Sequence, residues 1–408
     1  MTTKTYDAIV VGARVAGSPT AMLLARKGYE VLLVDRATFP SDTISTHLIH
    51  PPGIDALNRW GLLDRVVSTG CPPIDTYTFD FGPFTISGSP AGEGARVAYA
   101  PRRTILDTLL LEAAAEAGVE VRHGFSVETL VSENGRITGV CGHDKSGANI
   151  TEHARVVIGA DGRHSLVAHA VSPDQYHEKP PLLAAYYAYW SGLPMDGRFE
   201  TFIRPSRGMA AWPTNDDLTV VIAGWPYAEF EANKKDIEGN FLKAYELAPT
   251  FAQRLGAGTR ETRFVGTAVP NYLRKPYGRG WALVGDAGYN KDFITAQGIH
   301  DAFRDAELCA TAVDETLRGG RSFDAAMADY QTARDQQVLP MYEFTTELAT
   351  LEPPAPELLT LLAAMPGNQA AMDGFARVNA GVTSPAEFFS PENSERIMSE
   401  SEAMSAVH

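Results

Sequence analysis

Apolar residues along this chain follow more than one rhythm. Residues 6–11 (YDAIVV) are apolar at all but one position, the mark of a strand buried on both faces of a parallel sheet. The next stretch, VVGARVAGSPTAMLLARKG, predicts a helix running from just after Gly12 to Lys27, with Gly28 as its left-handed C-terminal cap. Pro19 suits that helix only near its first turn, where backbone N–H groups lack partners. YEVLLVDR predicts a second strand over 29–34, ending on Asp35 and Arg36. RTILDTLLLEAAAEAG predicts a helix over 103–118, and VEVRHG and the residues around GRITGVCG extend the sheet. ARVVIGADGRHSLVAHAV reads either as strand, turn and helix or as a hairpin turning at Asp161–Gly162. The lack of alternation in SLVAHAV favours the first.

From Leu182 to Trp225 the rhythm changes to period two, as in AAYYAYW and LTVVIAGWP, which predicts an antiparallel sheet with one buried face. The earlier pattern returns at WALVGDAG and the helical AQGIHDAFRDAELCATAVDETLRGG. Helices broken by prolines follow, and the polar tail SESEAMSAVH is expected to fray. GAG at 256–258 follows no clear strand and is expected to be a loop. The fold class is therefore α/β: a discontinuous Rossmann-like domain, an inserted β-rich domain and a C-terminal helical region.

At 408 residues the chain exceeds what one core usually serves. Thirty-five basic against 50 acidic residues give a net charge of −15, which argues against nucleic-acid or anionic-membrane partners. Cys71, Cys141 and Cys309 are scattered and form no CxxC pair, as expected in a reducing compartment. No apolar run approaches the roughly 18–20 residues of a spanning helix, and the first strand follows the N-terminus directly. The expectation is a cytoplasmic monomer or homodimer acting on a small molecule.

Three segments carry chemistry. In the first, Gly12 and Gly17 occupy outer positions of a G-x-G-x-x-G dinucleotide fingerprint, while Arg14 replaces the middle glycine. Asp35 ends the next strand about 20 residues on, where a ribose hydroxyl would be held. The helix N-terminus suits a pyrophosphate, and Arg14 is expected to fork onto its oxygens. The second segment centres on Asp161. In the third, a strand ends on Gly285–Asp286, with Asp286 placed for a ribitol or ribose hydroxyl. The N–H groups of Gly298 and Ile299 open the following helix towards an electron-rich ring edge.

Together these segments, in this order, resemble the class A flavoprotein monooxygenases of the para-hydroxybenzoate hydroxylase fold, from Tyr6 to about residue 330. That family's glycine fingerprint falls on Gly12–Gly17, its Asp-Gly motif on Asp161–Gly162 and its Gly-Asp motif on Gly285–Asp286. Its R-x-x-L pattern falls on Arg103 and Leu106, and its adenine-side valine on Val127. The resemblance implies a non-covalent FAD, contacted also by Ala16 and Arg36. It further implies NAD(P)H as co-substrate, docking without a domain of its own, and dioxygen as the source of an inserted oxygen atom. The implied FAD domain comprises 1–75, 96–175 and 272–330, the substrate domain 76–95 and 176–271, and the helical region 331–408.

The chain departs from the family in three places. Phe293 stands where the loop after Gly-Asp usually has proline; it either narrows the substrate pocket or simply packs. Ala168 stands where arginine is common, and the WxWxI signature of flavin-dependent halogenases is absent. Of the remaining residues, His47 is the one candidate catalytic base, with a packed histidine as its alternative. Tyr187 and Trp212 are candidates for the substrate pocket alongside Phe293; Tyr186 and Trp190 belong to the same sheet. Lys291 and Asp292 are expected to form a solvated pair. The activity implied is hydroxylation of an aromatic or other electron-rich small molecule. A flavin-dependent reductase or halogenase and a non-catalytic ligand-binding protein remain as alternatives.

Overall fold

Strands Glu120–His123, Val31–Asp35, Thr5–Val11, Asn149–Gly159 and Trp281–Leu283 lie side by side in that order, all parallel, in the computed structural model, which describes residues 4–405. Ala8, Ile9, Val10, Leu32 and Leu33 are fully buried, because helices cover one face and an antiparallel extension the other. Helices Gly17–Arg26, Arg103–Glu116 and Gly298–Leu317 supply the first cover. Strands Ser126–Glu133 and Arg136–His143 form the extension, joined to the first half of Asn149–Gly159.

The first helix begins at Gly17, five positions after Gly12 rather than directly behind it. Gly12 sits at φ +104°, a conformation side chains rarely adopt, and turns the chain sharply. A Cβ on Gly17 would fall 1.7 Å from the Gly12 carbonyl oxygen, so the helix can start there only as glycine. Asp161–Gly162 is no hairpin: strand Asn149–Gly159 passes into helix Leu166–Val171, capped by Ser165 Oγ accepting the Ala168 N–H.

A second sheet runs in the order Leu183–Ser191, Thr219–Pro226, Arg207–Pro213, Arg198–Arg204, Thr76–Asp80, Thr85–Gly88. Its period-two pattern sorts two faces. Tyr186 and Trp190 pack against helices Ile237–Tyr245 and Pro249–Ala257, whereas Tyr187 and Trp212 face the other way. GAG at 256–258 closes the second of those helices and is not a free loop. Helices Phe323–Leu348, Pro356–Ala363, Gln369–Asn379 and Pro391–Ser405 lie on that other face, with Leu361, Phe375 and Ile397 sharing a core with Phe79 and Trp212. The polar tail continues as helix as far as Ser405, with Ile397 of that helix in the core; its last three positions, 406–408, lie outside the described residues. Among the described residues, no helix is long and apolar enough to cross a membrane, and no cluster of metal-ligating side chains occurs.

Candidate functional site

The carboxyl ends of the parallel strands open onto a cavity of about 740 Å³. One end is lined by Asp35, Arg36 and Val127. Asp35 accepts the Ala13 N–H on one oxygen and the Ala37 N–H on the other, both at 2.7 Å. A carboxylate has about four acceptor positions, which leaves capacity for ribose hydroxyls. Gly12, Arg14 and Ala16 line the middle, opposite Asp161, which caps the next helix by accepting the Leu166 N–H at 2.7 Å. Burial raises the Asp161 carboxyl above its ordinary range. Gly17 and Gly285 lie just behind the wall and act through close packing; a Cβ on Gly285 would come within 2.9 Å of the Ala16 Cβ.

Arg14 lines the cavity, but protein groups hold its guanidinium instead of leaving it free to fork onto a ligand. Its Nη1 donates to Asp107 Oδ2 at 2.5 Å and to the Ser41 carbonyl, and its Nη2 to Ser41 Oγ and the Asp42 carbonyl. Asp107, fully buried, accepts Arg103 Nε at 2.9 Å on its other oxygen. One carboxylate thus fixes two arginines, and it is Arg103 whose terminal nitrogens are unpaired among the described residues, at the cavity wall. Asp107 escaped the sequence reading, although its i,i+4 spacing from Arg103 was visible. Arg14→Gly should therefore destabilise the protein even without FAD, by about 1.5–3 kcal/mol for lost hydrogen bonds to a charged group. Denaturant unfolding without FAD checks this; an unchanged midpoint would return Arg14 to a purely phosphate role.

The far end of the cavity holds Asp286, Gly298 and Ile299. Asp286 is deep in the protein yet exposed to the cavity, and its carboxyl has no hydrogen-bond partner among the described residues. Burial pushes it up to about 6, against the pull of Arg103. A Cβ on Gly298 would meet nothing within 4 Å, so space lies directly over the first turn of helix Gly298–Leu317. The first N–H groups of that helix have no intrahelical partner and carry its positive dipole end. An unpartnered carboxyl, open space and free N–H groups suit the ribitol and ring of a flavin.

Lys291 and Asp292 are not solvated. The Lys291 side chain is 5% exposed and donates to Asp301 Oδ2 at 2.5 Å, because the loop folds under helix Gly298–Leu317. Asp292 is buried; one oxygen accepts the Ile294 N–H at 3.0 Å and the other has no partner among the described residues. Burial pushes its carboxyl from 3.8 to about 7. The folded state therefore holds this proton more tightly than the unfolded chain, so Asp292 makes stability fall as pH rises from about 4 to about 7. Comparing urea midpoints of the wild type and Asp292→Asn across that range should show the variant losing less stability; parallel curves would refute it.

His47 does not line the cavity. It is fully buried at φ 60°, stacked on Tyr189, with Nε2 2.5 Å from the Tyr189 hydroxyl. Burial, reinforced by Arg103 and Arg102, pushes it down to about 3, so it is neutral at physiological pH. It is packed but not fully satisfied, since Nδ1 has no hydrogen-bond partner among the described residues; the loop after the second strand is pinned beneath the second sheet, where Trp212 Nε1 donates to the Thr46 carbonyl at 3.1 Å.

A second, apolar cavity of about 1260 Å³ lies between the second sheet and the C-terminal helices. Thr46, Ala185, Trp212, Ile222, Phe293 and Ala296 line both cavities, so the two meet there. Trp212 and Phe293 thus stand at the junction, and Tyr187 on the wall of the first cavity.

A family described as "FAD binding domain" matches residues 5–345. The digeranylgeranylglycerophospholipid reductase of Methanosarcina acetivorans is 27% identical over 330 residues, covering 77% of this chain and 76% of that protein. The myxobacterial chondrochloren halogenase CndH, an FAD-dependent halogenase, superposes with a TM-score of 0.79 at 22% identity, over 93% of this chain and all (100%) of that one. PqsL, described as a probable FAD-dependent monooxygenase from Pseudomonas aeruginosa, superposes with a TM-score of 0.71 at 20% identity, over 93% and 100%. At those identities the two structures speak for the fold alone.

Proposed function

The chain belongs to the FAD binding domain family and is an FAD-dependent oxidoreductase, and from that premise we propose an NAD(P)H-consuming monooxygenase that hydroxylates an aromatic or other electron-rich small molecule. The observation that carries this is the junction: Phe293 and Trp212 line both the apolar cavity and the first cavity, whose wall also holds Gly298 and Ile299. Atom transfer to a substrate requires the reacting centres to touch, about 3–3.5 Å apart. Bound FAD supplies two-electron redox chemistry and, with dioxygen, an oxygen atom.

The chain's own residues hold, orient and shield. Asp35 and Asp286 would take sugar hydroxyls at the two ends, and Arg103, braced by Asp107, would face the phosphates. The first N–H groups of helix Gly298–Leu317 would stabilise negative charge on the reduced ring through the helix dipole. Trp212 and Phe293 would hold the substrate against it and exclude water. No side-chain base is assigned.

A reductase is the second reading, favoured by the size of the apolar cavity and the 27% identity to a lipid reductase. Oxygen uptake separates them. With phenols, quinones and polyketides as trial substrates, substrate-dependent NAD(P)H oxidation should consume about one dioxygen per NAD(P)H. Turnover that persists without oxygen would leave the reductase, and a strict need for halide would leave a halogenase. A failure to exceed one turnover would leave a binding protein.

A further inference from the structure

The exposed charge in the lining of the apolar cavity is of one sign. Its interior is built from rings and aliphatic chains, among them Phe79, Phe199, Phe375, Phe389 and Leu361. Its lining also includes five exposed glutamates, Glu347, Glu352, Glu357, Glu395 and Glu402, and none of them is in an ion pair among the described residues. Arg207 is the one basic residue in that lining, and Glu229 holds it at 3.0 Å. The net charge of −15 points the same way.

We infer that this cavity takes a cationic amphiphile, an extended apolar molecule carrying a basic amine, and disfavours phosphate- or carboxylate-bearing substrates of similar size. The inference rests on reading the two joined cavities as a flavin site and its substrate site. Burial of the apolar body drives binding at roughly 25 cal/mol per Å². The ammonium group stays at the rim, because an unpaired charge in the interior is costly to desolvate, and the glutamates attract it there within the Debye length of roughly 10 Å. An anionic head at the same place meets like charge.

The test is calorimetric titration of the FAD-loaded protein, below micelle concentrations, with three probes of one hydrocarbon body: dodecylamine, dodecanol and dodecanoate. Dodecylamine should bind about tenfold tighter than dodecanol, and dodecanoate about tenfold weaker, with the gaps closing near 0.5 M salt. Replacing all five glutamates by glutamine should abolish the order while leaving dodecanol affinity unchanged; their exposure makes a folded variant the expected outcome, checked by circular dichroism. Equal or tighter dodecanoate binding, an order that survives in the variant, or no binding of any probe would overturn the inference. Protein that binds FAD but shows no amine preference sinks this inference alone, whereas protein that cannot bind FAD sinks the reading beneath it.

Discussion

Replacing Asp301 by asparagine should remove about 3–5 kcal/mol of stability, the usual cost of leaving a buried charge without its partner. Asp301 is 4% exposed. Its two oxygens accept Lys291 Nζ at 2.5 Å and Arg304 Nη1 at 2.8 Å, and these cations hold its carboxyl far below the ordinary range despite burial. Arg304 retains Asp305 at 2.8 Å in the variant. Lys291 retains Gln297, at 3.3 Å, and the Tyr289 ring, 5.8 Å away, neither of them an anion, and burial already pulls its amine below the ordinary lysine range. Against a total of about 5–15 kcal/mol for a typical protein, the loss would be plain in a urea midpoint. Lys291→Met should cost less, since Asp301 keeps Arg304, and the double variant should recover part of the Asp301→Asn deficit. A loss below about 1 kcal/mol would place the pair in the range of solvent-exposed ion pairs.

Asp286→Ala should move two quantities in opposite directions. FAD affinity should fall by about ten- to a hundredfold, the equivalent of about 1.5–3 kcal/mol for hydrogen bonds to a carboxylate. The apoprotein should melt no lower than wild type at pH 8, and higher if anything. The carboxyl has no partner of its own, and burial lifts it from 3.8 to about 6, so keeping it ionised opposes folding. As pH falls through 6 the carboxyl takes up its proton and that advantage of the variant should shrink. FAD titration and thermal unfolding of apoprotein at pH 8 and pH 5 measure both. Loss of apoprotein stability at pH 8 would show that Asp286 serves the fold rather than a ligand.

The parts of this molecule that were legible in the chain are those whose cause is local. Six nearly continuous apolar residues need cover on both faces, and Thr5–Val11 has it. Period-two alternation through AAYYAYW sorts Tyr187 from Tyr186 without knowledge of what lies on either side. Asp35, at a strand end, and Asp286, in the turn Gly285–Ala287 just past strand Trp281–Leu283 and not on the strand itself, reach one cavity because parallel strands bring their carboxyl ends together. What escaped depends on partners distant in sequence. Arg14 had an evident ligand role until Asp107, 93 residues on, claimed its guanidinium. Lys291 looks solvated beside Asn290 and Asp292, and only the return of helix Gly298–Leu317 buries it. His47 shows the same effect: nothing near STHLIH announces that Tyr189 will close over it.

Helix Phe323–Leu348 touches both halves of the molecule. Near its start the Tyr330 hydroxyl donates to the Leu283 carbonyl at the end of a parallel strand. Near its other end Thr345 Oγ1 meets Thr295 Oγ1 at 2.8 Å, and Phe344 lines the apolar cavity. Beyond it, the remaining C-terminal helices contribute no residue to the cavity that carries Asp35, Asp161 and Asp286. Those helices therefore work as a seal as much as a wall. If the proposed chemistry is right, a change there that admits a new substrate also admits water to the junction, and reducing equivalents then escape to oxygen as hydrogen peroxide instead of reaching product. In the proposed monooxygenase, substrate range and coupling efficiency would be tied to the same stretch of chain, and selection for one would be felt by the other.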